Sequence, residues 1–182
     1  MARDERTFFT YPTAFGPVTI GADGQAVTAV VLGEAALPGT GRATAITTEA
    51  ANQVMEYLAG KRTAFTVAIS PAGTDFQHEV WKALANIPYG QTRTTREIAA
   101  TIGAADAYRA VGAAVRKSPL AILIPAHRIV SATGKAAGPV VGLGNLLNYA
   151  DVYEGEPLLY LGSNDIDERI AAKQEDYDKA KK

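Results

Sequence analysis

The chain has 182 residues, 47% of them hydrophobic, a formal net charge of -1 and no cysteine. That length and apolar content suffice for one domain of ordinary size or two small ones with a real core. The lack of cysteine excludes a disulfide framework, a thiolate metal site and a thiol nucleophile, while His78 and His127 alone cannot build a multi-histidine metal site.

The opening "MARDERTFFTYP" is charged and then aromatic, unlike a secretory leader, and no apolar stretch approaches the ~18 residues of a membrane span. The expected address is cytoplasmic, with no membrane partner and no cofactor. Phe8 to Pro12, Val18 to Ile20 and Val27 to Leu32 are short β-prone runs separated by "AFGP" and "ADGQ", which predicts a meander with tight turns. Thr48 is the expected cap of a helix whose apolar positions Ala51, Val54, Met55 and Leu58 recur at helical spacing, with Gly60 as its stop. Phe65 to Ile69 reads as a further strand, and "SPAGT" is the best candidate boundary of a small α+β unit of ~70 residues.

Beyond that loop the pattern turns helical. Thr74 and Gln77 match a capping box, after which Phe76, Val80 and Leu84 line one helix face, and Trp81 and Val80 are expected in the core. Thr94 and Glu97 match a second capping box, opening a helix over Arg96 to Ile102. Gly103 breaks that helix, Asp106 is the expected cap of the next, and Pro119 forbids continuation of "DAYRAVGAAVRKSP". Two short helices joined by a glycine-containing turn are a helix-turn-helix pattern, which serves either DNA binding or simple helical packing.

Charge favours the DNA reading. Residues 92 to 130 hold Arg93, Arg96, Arg109, Arg116, Lys117 and Arg128 against only Glu97 and Asp106. From Asp151 onward nine acidic residues face five basic ones, so phosphate would be repelled there. The small residues Ala110, Gly112, Ala113 and Ala114 give the second helix a face that can approach a phosphate backbone or pack closely on a neighbouring helix.

The series "FQHEVWKALANIPYGQTRTTREIA", "YRAVGAAVRKSP" and "ILIPAHRIV" resembles the methylated-DNA-protein-cysteine methyltransferases, the alkylguanine-DNA alkyltransferases, from about Phe76 to Val130. The resemblance implies an α+β fold: a small N-terminal ribonuclease-H-like α+β domain over 1–72, then a mainly helical, winged helix-turn-helix-like DNA-binding domain over 73–160. A polar extension occupies 161–182. It also implies minor-groove binding, an arginine entering the base stack, and an alkylated guanine flipped into a pocket. Arg109 matches the intercalating arginine and Gly112 and Ala113 the close-approach face, and Thr95, Arg96 and Arg116 complete the expected DNA-binding residues. His127 matches the histidine that activates the nucleophile and Arg128 the structural arginine after it.

Ala126 stands where that family has its nucleophilic cysteine. Alkyl transfer needs a soft nucleophile prepared by a neighbouring base, and a methyl side chain has no lone pair to donate. Other departures accompany it. Thr95 replaces a tyrosine that pushes the target nucleotide, and Ser118 replaces the asparagine of an Asn-Pro pair. "GPVVGLGNLL" replaces the usual pocket loop, and Glu154 lies one residue out of register for the relay glutamate. The implied lesion pocket comprises Thr95, Ser118, Pro125, Ala126, His127, Pro139 and Val140. The pattern resembles the alkyltransferase-like branch, which binds alkylated guanine in double-stranded DNA without repairing it and hands it to nucleotide excision repair proteins. Two other readings stay open: a methyltransferase whose nucleophile has been exchanged for Ala126, and a helix-turn-helix regulator or protein-binding pseudo-enzyme. Without a cysteine to activate, His127 is expected to keep a buried hydrogen bond rather than perform acid-base work.

Overall fold

The computed structural model describes residues 5–13, 16–59, 61–89 and 91–130. Its N-terminal part is a four-stranded sheet in the order β3-β2-β1-β4, built from β1 (Thr7–Thr13), β2 (Gly16–Ala22), β3 (Val27–Leu32) and β4 (Thr40–Gly41). The expected meander is present, each of its first two strands running slightly beyond its apolar run. The short β4 adds a parallel edge to β1. The turn between β2 and β3 is set by Asp23, whose carboxylate accepts from the amides of Gln25 at 3.0 Å and Ala26 at 2.9 Å. Those amides favour the charged carboxylate and hold its pKa below the usual value of 3.8.

Helix α1 (Ala45–Leu58) lays Ala50, Ala51, Val54, Tyr57 and Leu58 against the sheet. Its cap is Thr44, not the expected Thr48. Thr44 and Thr47 form a reciprocal capping box, and Thr48, already inside the first turn, has its hydroxyl 3.1 Å from that of Tyr11. The run of alanine and threonine before Thr48 carries little apolar signal, so the first turn was invisible to periodicity. The expected stop, Gly60, lies outside the described residues.

The expected strand from Phe65 to Ile69 does not form. Only Ile69 makes an isolated parallel bridge, to Val27. The buried amide of Gln53 takes the place of a partner strand: its Oε1 accepts from the amides of Thr66 at 3.0 Å and Val67 at 3.4 Å. A side chain thus satisfies backbone donors that a sheet neighbour would otherwise bond.

The helical part comprises α2 (Asp75–Ala85), β5 (Arg93–Thr94), α3 (Thr95–Thr101), α4 (Tyr108–Arg116) and β6 (Ile129–Val130). Both expected capping boxes are in place, Thr74 with Gln77 and Thr94 with Glu97. Gly103 ends α3 with φ of 75°, a left-handed conformation that glycine adopts without a Cβ clash. Asp106 does not cap the following helix. It sits inside a three-residue 3-10 turn, Ala105–Ala107, that leads into α4 without a side-chain cap. Trp81 and Val80 are buried as expected, and the Trp81 indole donates to the Ala114 carbonyl at 2.8 Å, tying α2 to α4.

The apolar core continues across the loop at 70–74. Val30 of the sheet bridges to Leu120, with its amide donating to the Pro119 carbonyl at 2.9 Å. Ile20, Val54, Leu84, Val111 and Ile124 belong to one cluster. The sheet and α1 therefore form a wall against which the segment after α4 is folded. Among the described residues no helix is long and apolar enough to cross a membrane.

Candidate functional site

The segment from Leu120 to Val130 is short of regular structure but closely tied. Leu123, Ile124 and Ala126 donate their amides back to Ala121, Leu120 and Ile124, and Arg128 donates to Pro125, closing a 3-10 turn over Ala126–Arg128. Ile122, buried, has φ of 69°. A β-branched residue in the left-handed region is strained, and the surrounding hydrogen bonds and apolar packing hold it there. The consequence is a fixed turn with Ala126 half-buried between buried Pro125 and His127.

His127 is 1% exposed, and its Nε2 lies 3.0 Å from the hydroxyl of fully buried Tyr57 on α1. Arg128, 6% exposed, donates Nη1 to the Ile87 carbonyl at 2.6 Å and Nη2 to the same Tyr57 hydroxyl at 3.5 Å. A guanidinium can only donate, so the Tyr57 hydroxyl accepts from Arg128 while it also shares a hydrogen bond with Nε2 of His127. Nδ1 itself has no partner among the described residues. Burial, and secondly the charge of Arg128, hold the His127 pKa well below the usual 6.5, so the ring is neutral.

No carboxylate among the described residues pairs with Arg128. Its charge is accommodated by the two acceptors and by the Tyr89 ring, 5.6 Å from the guanidinium carbon. Tyr57 packs edge-on against both Tyr89 and the His127 ring. Arg128 thus ties the turn to Ile87 and Tyr57, and His127 makes a buried hydrogen bond to Tyr57. Beside them a cleft of about 510 Å³ runs between the two parts of the chain, with Phe65, Ile87, Tyr89, Pro125 and Arg128 in its walls.

The helix-turn-helix lies next to this turn. β5 pairs in parallel with β6, Arg93 opposite Ile129 and Thr94 opposite Val130, so the first residue of α3, Thr95, emerges beside the strand that follows Arg128. Thr95 is half-buried and packs toward Gly112: a Cβ built on that glycine would meet Thr95 Cγ2 at 3.8 Å and Arg116 Nη1 at 3.6 Å. Arg96, Arg109 and Arg116 are exposed, Ala113 is half-buried, and Gly112 is covered by its neighbours. Ser118 is half-buried, its hydroxyl accepting from the Leu120 amide at 3.4 Å. Pro139, Val140 and Glu154 lie outside the described residues, as does the extension over 161–182.

Sequence reasoning missed Tyr57, Tyr89 and Tyr108. Tyr57 falls in the apolar register of α1 and reads as ordinary core; nothing local shows that its hydroxyl meets a histidine 70 positions away. Tyr108 stood in plain view between the arginines of the basic segment, and its place next to Arg109 was the available signal. Among the described residues no group of three or more histidine, cysteine or acidic side chains could hold a metal.

The architecture is that of an α+β protein in which a small mixed sheet backs a helix-turn-helix and a buried Pro-Ala-His-Arg turn. Residues 75–148 match the DNA-binding domain of 6-O-methylguanine DNA methyltransferase. The chain is 53% identical over 95 residues to the methylated-DNA--protein-cysteine methyltransferase of Methanosarcina barkeri, an overlap of 52% of this chain and 60% of that protein. It is 42% identical over 113 residues to that of Mycobacterium leprae, covering 62% of this chain and 68% of the other. Among solved structures, the O6-methylguanine methyltransferase of Mycobacterium tuberculosis superposes with a TM-score of 0.70 at 38% identity, over 80% of this chain and 92% of that one. The OGT of the same organism in complex with DNA gives 0.69 at 36% identity, over 80% and 93%. The chain belongs to the methylated-DNA-protein-cysteine methyltransferase family. It spans about 60% of the length of the Methanosarcina relatives it matches.

Proposed function

We propose that this protein is a non-catalytic, alkyltransferase-like member of its family that binds double-stranded DNA, recognises alkylated guanine and leaves the lesion for another repair system. The observation that carries the reading is Ala126. It occupies the turn between Pro125 and His127 where the relatives' reaction requires a thiol, and a methyl group can neither be deprotonated nor accept an alkyl group by displacement. The DNA-binding part is supported by the exposed Arg96, Arg109 and Arg116 on a helix-turn-helix, and by the likeness to a relative solved with DNA.

Nucleotide excision repair proteins are the partners this role calls for, and a cytoplasmic address is compatible with it. Flipping a base out of the duplex toward Ala126 would cost less at a damaged pair than at an intact one, which is the physical source of selectivity for a binder without chemistry. The test is a titration of a duplex carrying one O6-methylguanine against the same duplex unmodified, at fixed salt because phosphate contacts make affinity salt-dependent. Tighter binding of the modified duplex, reduced by Arg109→Ala, is expected. The intact mass of the protein should be unchanged after incubation with methylated DNA; a gain of one methyl group would overturn the non-catalytic reading. Equal affinity for both duplexes would remove lesion recognition.

A further inference from the structure

Tyr108 is the one aromatic residue between Thr92 and Lys117. It opens α4, with its ring half-buried against the core. The guanidinium carbon of Arg96, reaching across from α3, lies 4.0 Å from the ring centroid, and that of Arg109 lies 5.8 Å away. Both distances fall within the ~6 Å over which a cation is attracted to an aromatic face. Glu97, next to Arg96, is held at the start of α3 by accepting from the Thr94 amide at 2.7 Å, and neither arginine makes an ion pair among the described residues.

A guanidinium stacked on a ring uses its flat face and keeps its N–H groups on the rim, where they remain available to phosphate oxygens. The stack also removes part of the rotamer freedom that a long exposed side chain otherwise loses on binding. Arg96 and Arg109 belong to different helices, so the ring couples the two halves of the helix-turn-helix at the point where both carry exposed positive charge.

We propose that Tyr108 is a positioning residue for DNA binding, its ring presetting Arg96 and Arg109 as one unit that engages the backbone and groove of a duplex. This rests on the DNA-binding part of the proposed function and not on lesion recognition. The ring contacts no nucleotide in this scheme; it acts through the two arginines.

The full chain is titrated with the unmodified duplex and with its O6-methylguanine counterpart. Tyr108→Phe keeps the ring and should bind within about twofold of wild type, whereas Tyr108→Leu keeps apolar bulk against the core and should bind about fivefold more weakly to both duplexes. Arg96→Ala should cost less when combined with Tyr108→Leu than in wild type, because the ring effect runs through that arginine. A leucine variant that binds like wild type, a phenylalanine variant as weak as leucine, or strictly additive effects would overturn the proposal. Thermal midpoints accompany each titration, and Tyr108→Met replaces the leucine variant should the latter unfold. Loss of lesion recognition shows separately, as equal wild-type affinity for the two duplexes.

Discussion

The hydroxyl of Tyr57, on the helix that backs the N-terminal sheet, meets Nε2 of His127 at 3.0 Å in the buried turn beside Ala126. This hydrogen bond joins the N-terminal part of the chain to the motif that carries the family resemblance, and Arg128 makes a second one by donating to the same oxygen. Removing the hydroxyl takes from a buried imidazole nitrogen its hydrogen-bond partner among the described residues and weakens the accommodation of a buried guanidinium. Tyr57→Phe should therefore destabilise the fold by about 1–3 kcal/mol, the usual cost of an orphaned buried polar group. Urea unfolding checks it, and an unchanged midpoint would show that the contact contributes nothing.

The neutral state of His127 gives the fold a pH dependence of known sign. Its pKa is depressed by burial and by Arg128, so below about pH 6.5 the unfolded chain takes up a proton that the folded chain refuses. The contribution is intact above that pH and is lost as the pH falls, by up to ~1.4 kcal/mol per unit until the folded pKa is reached. Between pH 6.5 and 5, where few carboxylates titrate, wild-type stability should decline and the His127→Gln variant should decline less. Parallel slopes for the two proteins would contradict the assignment.

How much of this was legible beforehand depended on range. Local signals worked where their physics is local: the threonine capping boxes at Thr74 and Thr94, the break at Gly103, and the β-prone run from Val27 to Leu32 all stand as read. They failed where a distant or polar group decided. Phe65 to Ile69 looks like a strand, but the buried Gln53 amide takes its donors. Asp106 looks like a cap, yet the chain enters α4 through a 3-10 turn that includes it. Within the site, the motif exposed Ala126, His127 and Arg128, whereas their partners Tyr57, Ile87 and Tyr89 come from elements that fold against the turn and have no marker in their own neighbourhoods.

Gly73, in the loop joining the two parts, has no room for a side chain. A Cβ there would lie 2.5 Å from Cη2 of Trp81 and 2.8 Å from Oε1 of Gln77, which accepts from the Thr74 amide to complete the α2 cap. The indole cannot easily retreat, since its N–H is committed to the Ala114 carbonyl. Gly73→Ala should cost about 1–3 kcal/mol through overpacking, with a changed tryptophan fluorescence maximum in the folded state. A variant as stable as wild type would mean that the loop, rather than the ring, gives way.

At Gly112 the same substitution should separate stability from binding. An alanine Cβ would make only ordinary contacts with Thr95 and Arg116, and glycine inside a helix costs roughly 0.5–1 kcal/mol relative to alanine. Packing on α3 therefore does not require the glycine, and Gly112→Ala should raise the unfolding free energy by up to about 1 kcal/mol. The added methyl group nevertheless sits between Thr95 and Arg116, two side chains assigned to the DNA-facing surface, and would resist their rearrangement against a phosphate backbone. Duplex affinity should fall while stability rises. Thermal unfolding and a fixed-salt titration of the same preparation test the pair of signs: a gain in both would assign the small-residue face of α4 to helix packing alone, and a loss of stability would show that Thr95 and Arg116 leave less space than their distances indicate.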